Sequence, residues 1–325
     1  MKFKVEKTTY PLERPFAITG HTFINLEAVT VTLEQDGFIG RGEGDGVYYL
    51  GETQDSMFTQ LEEVRPRVER GLTREELKDL LPPGGARNAL DCALWDLEAK
   101  TKDSSIWALV GIEPKQLNTV ATVGMGAPEQ MAARAMEFSH YPNLKVKLDA
   151  ELPIERLRAI RESRPDAKLV IDVNQGWDFE LLKTLLPDLQ QLGIAMIEQP
   201  LPRGKDRELE GFESPIPIGG DESCLTLAEY ELVKSRYSVI NIKLDKTGGL
   251  TEALALAQRA REDGKSVMVG NMTGTSLAMA PAYVIGQFCS FVDIDGPLLL
   301  AQDVPNGLAY LPGGFVGLPN SRLWG

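Results

Sequence analysis

The chain has 325 residues, 43% of them hydrophobic and 25% charged, enough to bury one large core or two. Its 47 acidic against 34 basic residues give a formal charge of −13, which disfavours nucleic acid and anionic membrane surfaces as partners. Only His21 and His140 are present, excluding most histidine-based metal sites and arguing against a catalytic triad, and three scattered cysteines fit reduced thiols rather than a disulfide framework.

Met1-Lys2-Phe3-Lys4-Val5 alternates like a strand and lacks the apolar core of a signal peptide. No later apolar run reaches membrane-spanning length, so a cytoplasmic protein is expected. Strand character continues through Ile24 to Leu33, where Val29, Val31 and Leu33 alternate with threonines. Gly40, Gly42, Gly44 and Gly46 then fall at every second position. No dinucleotide-binding pattern follows them, and the stretch reads as a loop. Helical periodicity marks Met57-Val68, Arg74-Leu80 and Ala86-Lys100, with Leu90, Ala93, Leu94 and Leu97 forming a stripe. Strands followed by helices predict an α+β domain over residues 1–113.

Beyond residue 113 one apolar strand and one helix-compatible stretch alternate. The strands centre on Val120-Thr122, Leu144-Leu148, Val170-Val173, Ala195-Ile197, Ile216-Ile218, Val239-Ile242, Val267-Val269 and Phe291-Ile294. Such a repeat predicts a closed α/β barrel over 114–300, and the glycine-rich turn of a doubly wound sheet is missing. Residues 301–325 read as a tail that packs elsewhere.

Catalytic groups in a barrel sit at the C-terminal ends of its strands. Strand two ends in Lys145 and Lys147, two lysines on one face of an apolar strand, costly in a dry core and unremarkable on a solvated edge. Strand three ends in Asp172 and Asn174, strand four in Glu198, strand five in Asp221, strand six in Lys243 and strand eight in Asp293 and Asp295. Three carboxylates on adjacent strands are expected to converge and would repel unless a divalent cation joins them. All-oxygen ligation suits Mg2+, with Mn2+ acceptable. In a ring of eight, Lys147 and Lys243 face each other, and Asp293 and Asp295 face the carboxylates across the cavity. A substrate carboxylate at the metal and a substrate cation at the aspartates would hang a carbon between two lysines, which suits proton removal on one face and return on the other. The base must be neutral near pH 7, and like-charge repulsion between Lys145 and Lys147 has the right sign to favour that.

With these motifs the chain resembles the enolase superfamily, in the mandelate racemase/muconate lactonizing enzyme branch that includes the dipeptide epimerases. Leu144-Lys145-Val146-Lys147-Leu148 looks like the branch's Lys-x-Lys motif. Glu198-Gln199-Pro200, Asp221-Glu222-Ser223 and Asn241-Ile242-Lys243-Leu244-Asp245-Lys246 look like its later barrel motifs. Gly71-Leu72-Thr73-Arg74-Glu75-Glu76-Leu77 and the stretch from Ala86 to Leu97 are similar to the capping domain of bacterial Ala-Glu epimerases. The resemblance implies a (β/α)7β TIM-type barrel with an N-terminal α+β capping domain, the 301–325 tail packing back on that domain, and one Mg2+. It also implies epimerisation of a small dipeptide through an enolate. Asp172, Glu198 and Asp221 would be metal ligands, Lys147 and Lys243 the opposed acid/base pair, Lys145 a contact to the substrate carboxylate and Asn174 a supporting group. Asp293 and Asp295 look like the Asp-x-Asp motif that holds a free amino terminus, with Thr122 beside them.

One departure stands out. Ala-Glu epimerases carry an arginine in the first capping loop, whereas Phe16-Ala17-Ile18-Thr19-Gly20-His21-Thr22-Phe23 contains none. His21 is a weak substitute or simply a surface histidine. Tyr48 and Tyr49 either line an apolar or aromatic pocket or pack between domains, and Met272 borders the same side chain from the loop after strand seven. Alternatives on the same scaffold are an N-acylamino acid racemase and an o-succinylbenzoate synthase or cycloisomerase. A non-catalytic metal- and peptide-binding protein is the alternative of another class. Oligomeric state, monomer or homo-oligomer, stays open.

Overall fold

The computed structural model describes residues 1–325. Strands Lys2–Ile18 and His21–Gln35 form one long antiparallel hairpin that turns on Thr19 and Gly20, the glycine supplying φ +73°. The segment 16–23, read from sequence as a capping loop, is therefore the paired tip of a hairpin. That tip reaches over the second domain, where Thr19 Oγ1 lies 3.0 Å from both Leu148 O and Val173 O and Met125 N donates to Ala17 O.

The glycine-rich stretch is not a loop but a strand, Phe38–Asp45, paired with the hairpin. Its alternating glycines face helix Gly85–Thr101 at very short range. A Cβ on Gly42 would stand 2.2 Å from Ala89 O, and one on Gly40 would stand 2.3 Å from Ala93 O. The inward face carries no side chains, so the usual apolar alternation of a half-buried strand is invisible in the sequence. Helices Gln54–Glu69 and Arg74–Leu80, each begun by a threonine capping box, complete the domain.

Helix Gly85–Thr101 is buried along almost its whole length because it lies between the two domains. Its polar side chains cross that boundary. Arg87 donates to Gly248 O and pairs with Glu252, Asn88 Nδ2 donates to Asp245 Oδ1 at 2.7 Å, and Trp95 Nε1 donates to Thr251 Oγ1.

Eight parallel strands follow in sequential order: Ala121–Val123, Asn143–Lys147, Lys168–Asp172, Ile194–Glu198, Ile218–Gly220, Val239–Ile242, Ser266–Val269 and Phe291–Val292. A hydrogen bond from Val120 N to Val292 O, 2.9 Å, ties the first to the last. One face of these strands packs on surrounding helices such as Pro153–Ser163 and Leu250–Glu262, while Val170, Met196, Val239 and Met268 fill the interior. The final residues return to the helix between the domains: Trp324 Nε1 donates to Cys92 O and Gly325 N to Asp96 Oδ1. No helix is long and apolar enough to cross a membrane.

Candidate active site

Strand register assembles the site. Lys147 pairs with Asp172, and Asp172 pairs with Glu198, so three polar ends stand in one row. Lys145 and Lys147 are both buried, at 1% and 7% exposure, which removes the reading of a solvated strand face. Lys147 Nζ lies 2.6 Å from Asp172 Oδ2 and donates to Asn174 Oδ1 at 3.0 Å. Across the mouth, Lys243 Nζ lies 2.7 Å from Asp221 Oδ2. The two lysines thus flank the carboxylates of strands three to five.

Lys145 behaves differently from the expectation. Its ammonium spans the mouth, 3.1 Å from Asp172, 2.9 Å from Glu198 and 2.8 Å from Asp293. Asp293 is therefore joined to the carboxylate row by one cation rather than set apart across a cavity. Nor do three carboxylates converge on one ligand point, because the lysine ammoniums stand between them. Burial would strip the lysines of charge, yet the surrounding carboxylates win, and Lys145 and Lys243 are both held well above the ordinary lysine range.

The acids divide in response. Burial alone would raise Asp172, but Lys145 and Lys147 bring it down to about 2. Asp221 is likewise held far below its usual value by Lys243 and Lys246 against the effect of burial. Glu198 is pushed up to about 7 by burial and by Asp172 beside it. Glu222 Oε2 is buried without a partner, while Glu198 Oε2 and Asp221 Oδ2 meet only lysine ammoniums, Lys145 at 2.9 Å and Lys243 at 2.7 Å. Buried anionic oxygens compensated only by side-chain ammoniums make a hard, all-oxygen donor set of the kind a small divalent cation takes, so the residues fit one.

At strand eight, Thr122 N donates to Asp295 Oδ2 at 2.7 Å, and Asn271 Nδ2 donates to Asp293 Oδ1 at 3.1 Å. Burial and the adjacent Asp293 push Asp295 up to about 8, while Asp293 is lowered because Lys145 outweighs burial. From the loop after strand seven, the side chain that reaches this pair is that of Asn271, neighbour of the predicted Met272. Over the opposite side of the mouth sit four rings. His21 stacks on Tyr48 at 5.2 Å between centroids, and Phe23 and Tyr49 each meet Tyr48 edge-on at 5.3 Å. Burial raises the Tyr48 hydroxyl, and the charges nearest it are those of Lys243, Glu222, Asp172 and Asp221.

Several contributors were not singled out from sequence. Asn241 donates to Glu198 Oε1 at 2.6 Å, and the fully buried Lys246 donates to Asp221 Oδ1 at 2.5 Å as well as to three carbonyls. Glu222, pushed up to about 8 by burial and Asp221, accepts from Asn174 Nδ2. Gln199 holds a left-handed backbone, φ +35°, right after Glu198. Its side chain fixes that strained turn by donating to Leu201 O and Ser223 Oγ and accepting from Asp221 N. The available signal was adjacency: Gln199 and Glu222 each follow a predicted acid, and Lys246 lies three residues after Lys243, where the short helix Leu244–Thr247 turns it back.

A barrel with buried lysines opposed across strand-end carboxylates, capped by an α+β domain, defines the enolase-type class. The chain belongs to the mandelate racemase/muconate lactonizing enzyme family of that superfamily: residues 2–111 match its N-terminal domain and residues 129–320 the enolase C-terminal domain-like family. It is 46% identical to the L-Ala-D/L-Glu epimerase of Escherichia coli over 95% of this chain and 98% of that protein. An Agrobacterium tumefaciens enolase family member with homology to dipeptide epimerases, solved with sodium and L-Ala-L-Glu, superposes with a TM-score of 0.96 at 41% identity over 99% of both chains. The dipeptide epimerase of Cytophaga hutchinsonii, solved with Mg and D-Ala-L-Val, gives 0.90 at 27% identity over 98% of this chain and 92% of that one.

Proposed function

We propose that the protein is a Mg2+-dependent dipeptide epimerase, an isomerase that inverts the α-carbon of the C-terminal residue by two-base proton transfer. One observation carries the reading: Lys147 on Asp172 and Lys243 on Asp221, two buried lysines on opposite sides of the carboxylate row. A protein that only bound peptides would gain nothing from burying both. Asp172, Glu198 and Asp221 would hold the cation, which when bound supplies positive charge against the negative charge that develops on the substrate carboxylate. Lys147 removes the α-proton from one epimer while Lys243 protonates the opposite face, and the roles exchange in reverse. Asn174 fixes the Lys147 ammonium, and Lys145 donates to the substrate carboxylate.

Asp293 and Asp295 take the free ammonium of the N-terminal residue, with Thr122 orienting Asp295. An N-acylated amino acid or a dicarboxylate offers no positive charge there, which favours a dipeptide over both alternatives on this scaffold. His21, Tyr48, Tyr49 and Met272 border the C-terminal side chain. Unpaired cysteines support a cytoplasmic setting.

The test is exchange in heavy water with Mg2+, read by mass spectrometry on L,L- and L,D-dipeptides. Lys147→Ala is expected to suppress exchange from one C-terminal epimer and Lys243→Ala from the other, each by roughly 10²–10⁴-fold. Near-normal inversion by both variants would overturn the assignment.

A further inference from the structure

Lys243 stands directly after the sixth barrel strand, Val239–Ile242, and the chain turns at once into the four-residue helix Leu244–Thr247, all of it buried. Thr247 N donates to Lys243 O at 3.0 Å, so the lysine's own backbone belongs to that turn. A helix this short has too few internal hydrogen bonds to fix its own geometry, which its surroundings must supply. On the barrel side Lys246 anchors it by donating to Asp221 Oδ1 and to the carbonyls of Asp221, Cys224 and Asn241.

The opposite anchor comes from the capping domain. Asp245, 4% exposed, accepts at Oδ1 from Asn88 Nδ2 at 2.7 Å and from Asp45 N at 3.0 Å. Those donors belong to helix Gly85–Thr101 and to strand Phe38–Asp45. The same stretch of helix grips the residues that follow, where Arg87 donates to Thr247 O and Gly248 O and Asp91 Oδ2 accepts from Thr251 N at 2.9 Å. The approach is close: a Cβ on Gly248 would stand 2.3 Å from Arg87 Nε, and one on Gly249 would stand 2.4 Å from Asp91 Oδ2. Among these contacts, the one at Asp245 lies nearest to Lys243 along the chain.

We propose that Asp245 is a positioning residue for Lys243, through which Asn88 and Asp45 of the capping domain set where the acid/base lysine of strand six stands. The Lys147 ammonium is held instead by Asp172 and Asn174, both within the barrel. The inference rests on the two-base reading, and it predicts that losing the contact harms one face of the site more than the other. Misplacing a reacting group by about 1 Å costs on the order of 10²-fold in rate.

The experiment follows deuterium exchange in heavy water with Mg2+ for L-Ala-L-Phe and L-Ala-L-Glu, each beside its C-terminal D epimer. Asp245→Ala is expected to slow the epimer whose exchange Lys243→Ala suppresses, moving the ratio between epimers by roughly 10–100-fold. Asp245→Asn keeps an accepting oxygen and should return the ratio to within about threefold of the parent. Asn88→Ala removes one donor from the other domain without altering strand six, should move the ratio the same way by several-fold, and stands in where Asp245→Ala fails to fold. Parallel losses from both epimers in the folded variants, or Asp245→Asn displacing the ratio as far as Asp245→Ala, would overturn the positioning role. Exchange absent from all four dipeptides in the unmodified protein would overturn the dipeptide reading instead, and this inference with it.

Discussion

At the residue scale the open question is which C-terminal side chain the mouth selects, and four rings bear on it. His21, Phe23, Tyr48 and Tyr49 form one contiguous aromatic cluster. The nearest cations are already engaged: Lys243 with Asp221, and Arg203 with Glu229. A glutamate side chain entering here would find π-faces and the carboxylates of Asp221 and Glu222, but no free positive partner. We expect L-Ala-L-Phe to be exchanged faster than L-Ala-L-Glu by about tenfold. His21→Arg, which places a fixed cation on the Tyr48 face, should move that ratio toward glutamate by several-fold, measured as relative kcat/KM in one competition assay. A ratio indifferent to the substitution would remove the hairpin tip from specificity.

At the element scale the strand Phe38–Asp45 does more than complete a sheet, because Glu43 leaves it to grip the barrel. Its carboxylate accepts from Thr275 N at 2.8 Å and Thr275 Oγ1 at 2.7 Å, at the start of helix Ser276–Gly286. Burial pushes this carboxyl up to about 7, hydrogen bonds from Thr275 oppose the shift, and Asp245 and Asp303 add to it. A carboxyl raised on folding favours the protonated native state. Its stabilising contribution is therefore full below the unfolded value near 4.5 and is lost as pH rises to about 7. Glu43→Gln keeps an acceptor without the charge. The variant should match the parent in chemical denaturation at pH 4 and exceed it at pH 8 by up to roughly 3 kcal/mol. Equal stability at both pH values would show that Glu43 titrates normally. Elements like this one also mark what sequence could convey. Barrel strands were legible because a polar residue closing an apolar run is conspicuous, as at Asp172 or Lys243. The Phe38–Asp45 strand was not, since its inward positions are glycines and show no apolar alternation. Contacts such as Thr19 on Val173 or Asn88 on Asp245 join residues far apart in the chain, with no local mark on either partner.

At the scale of the whole molecule, the carboxylate row couples metal loading to stability. Asp172, Glu198 and Asp221 are each balanced by lysine ammoniums contributed from strand two and strand six. A bound divalent cation competes with those ammoniums for the same oxygens, so part of its binding energy is offset by the ion pairs it loosens. The divalent charge decides the sign, because at equal distance it attracts Asp172, Glu198 and Asp221 about twice as strongly as each ammonium it displaces. Mg2+ should therefore stabilise the fold, by about 2.7 kcal/mol at a hundredfold excess over its dissociation constant. The check is a thermal-unfolding titration with Mg2+ after chelator treatment, run beside the exchange assay. The unfolding midpoint and the exchange rate should rise together and saturate at one concentration, and Asp221→Asn should weaken both. A midpoint that ignores Mg2+ while exchange depends on it would mean that the cation arrives with the substrate rather than ahead of it. Lys145, tied to Asp172, Glu198 and Asp293 at once, would then be the natural gate, released only when a dipeptide supplies its carboxylate to one end of the site and its ammonium to the other.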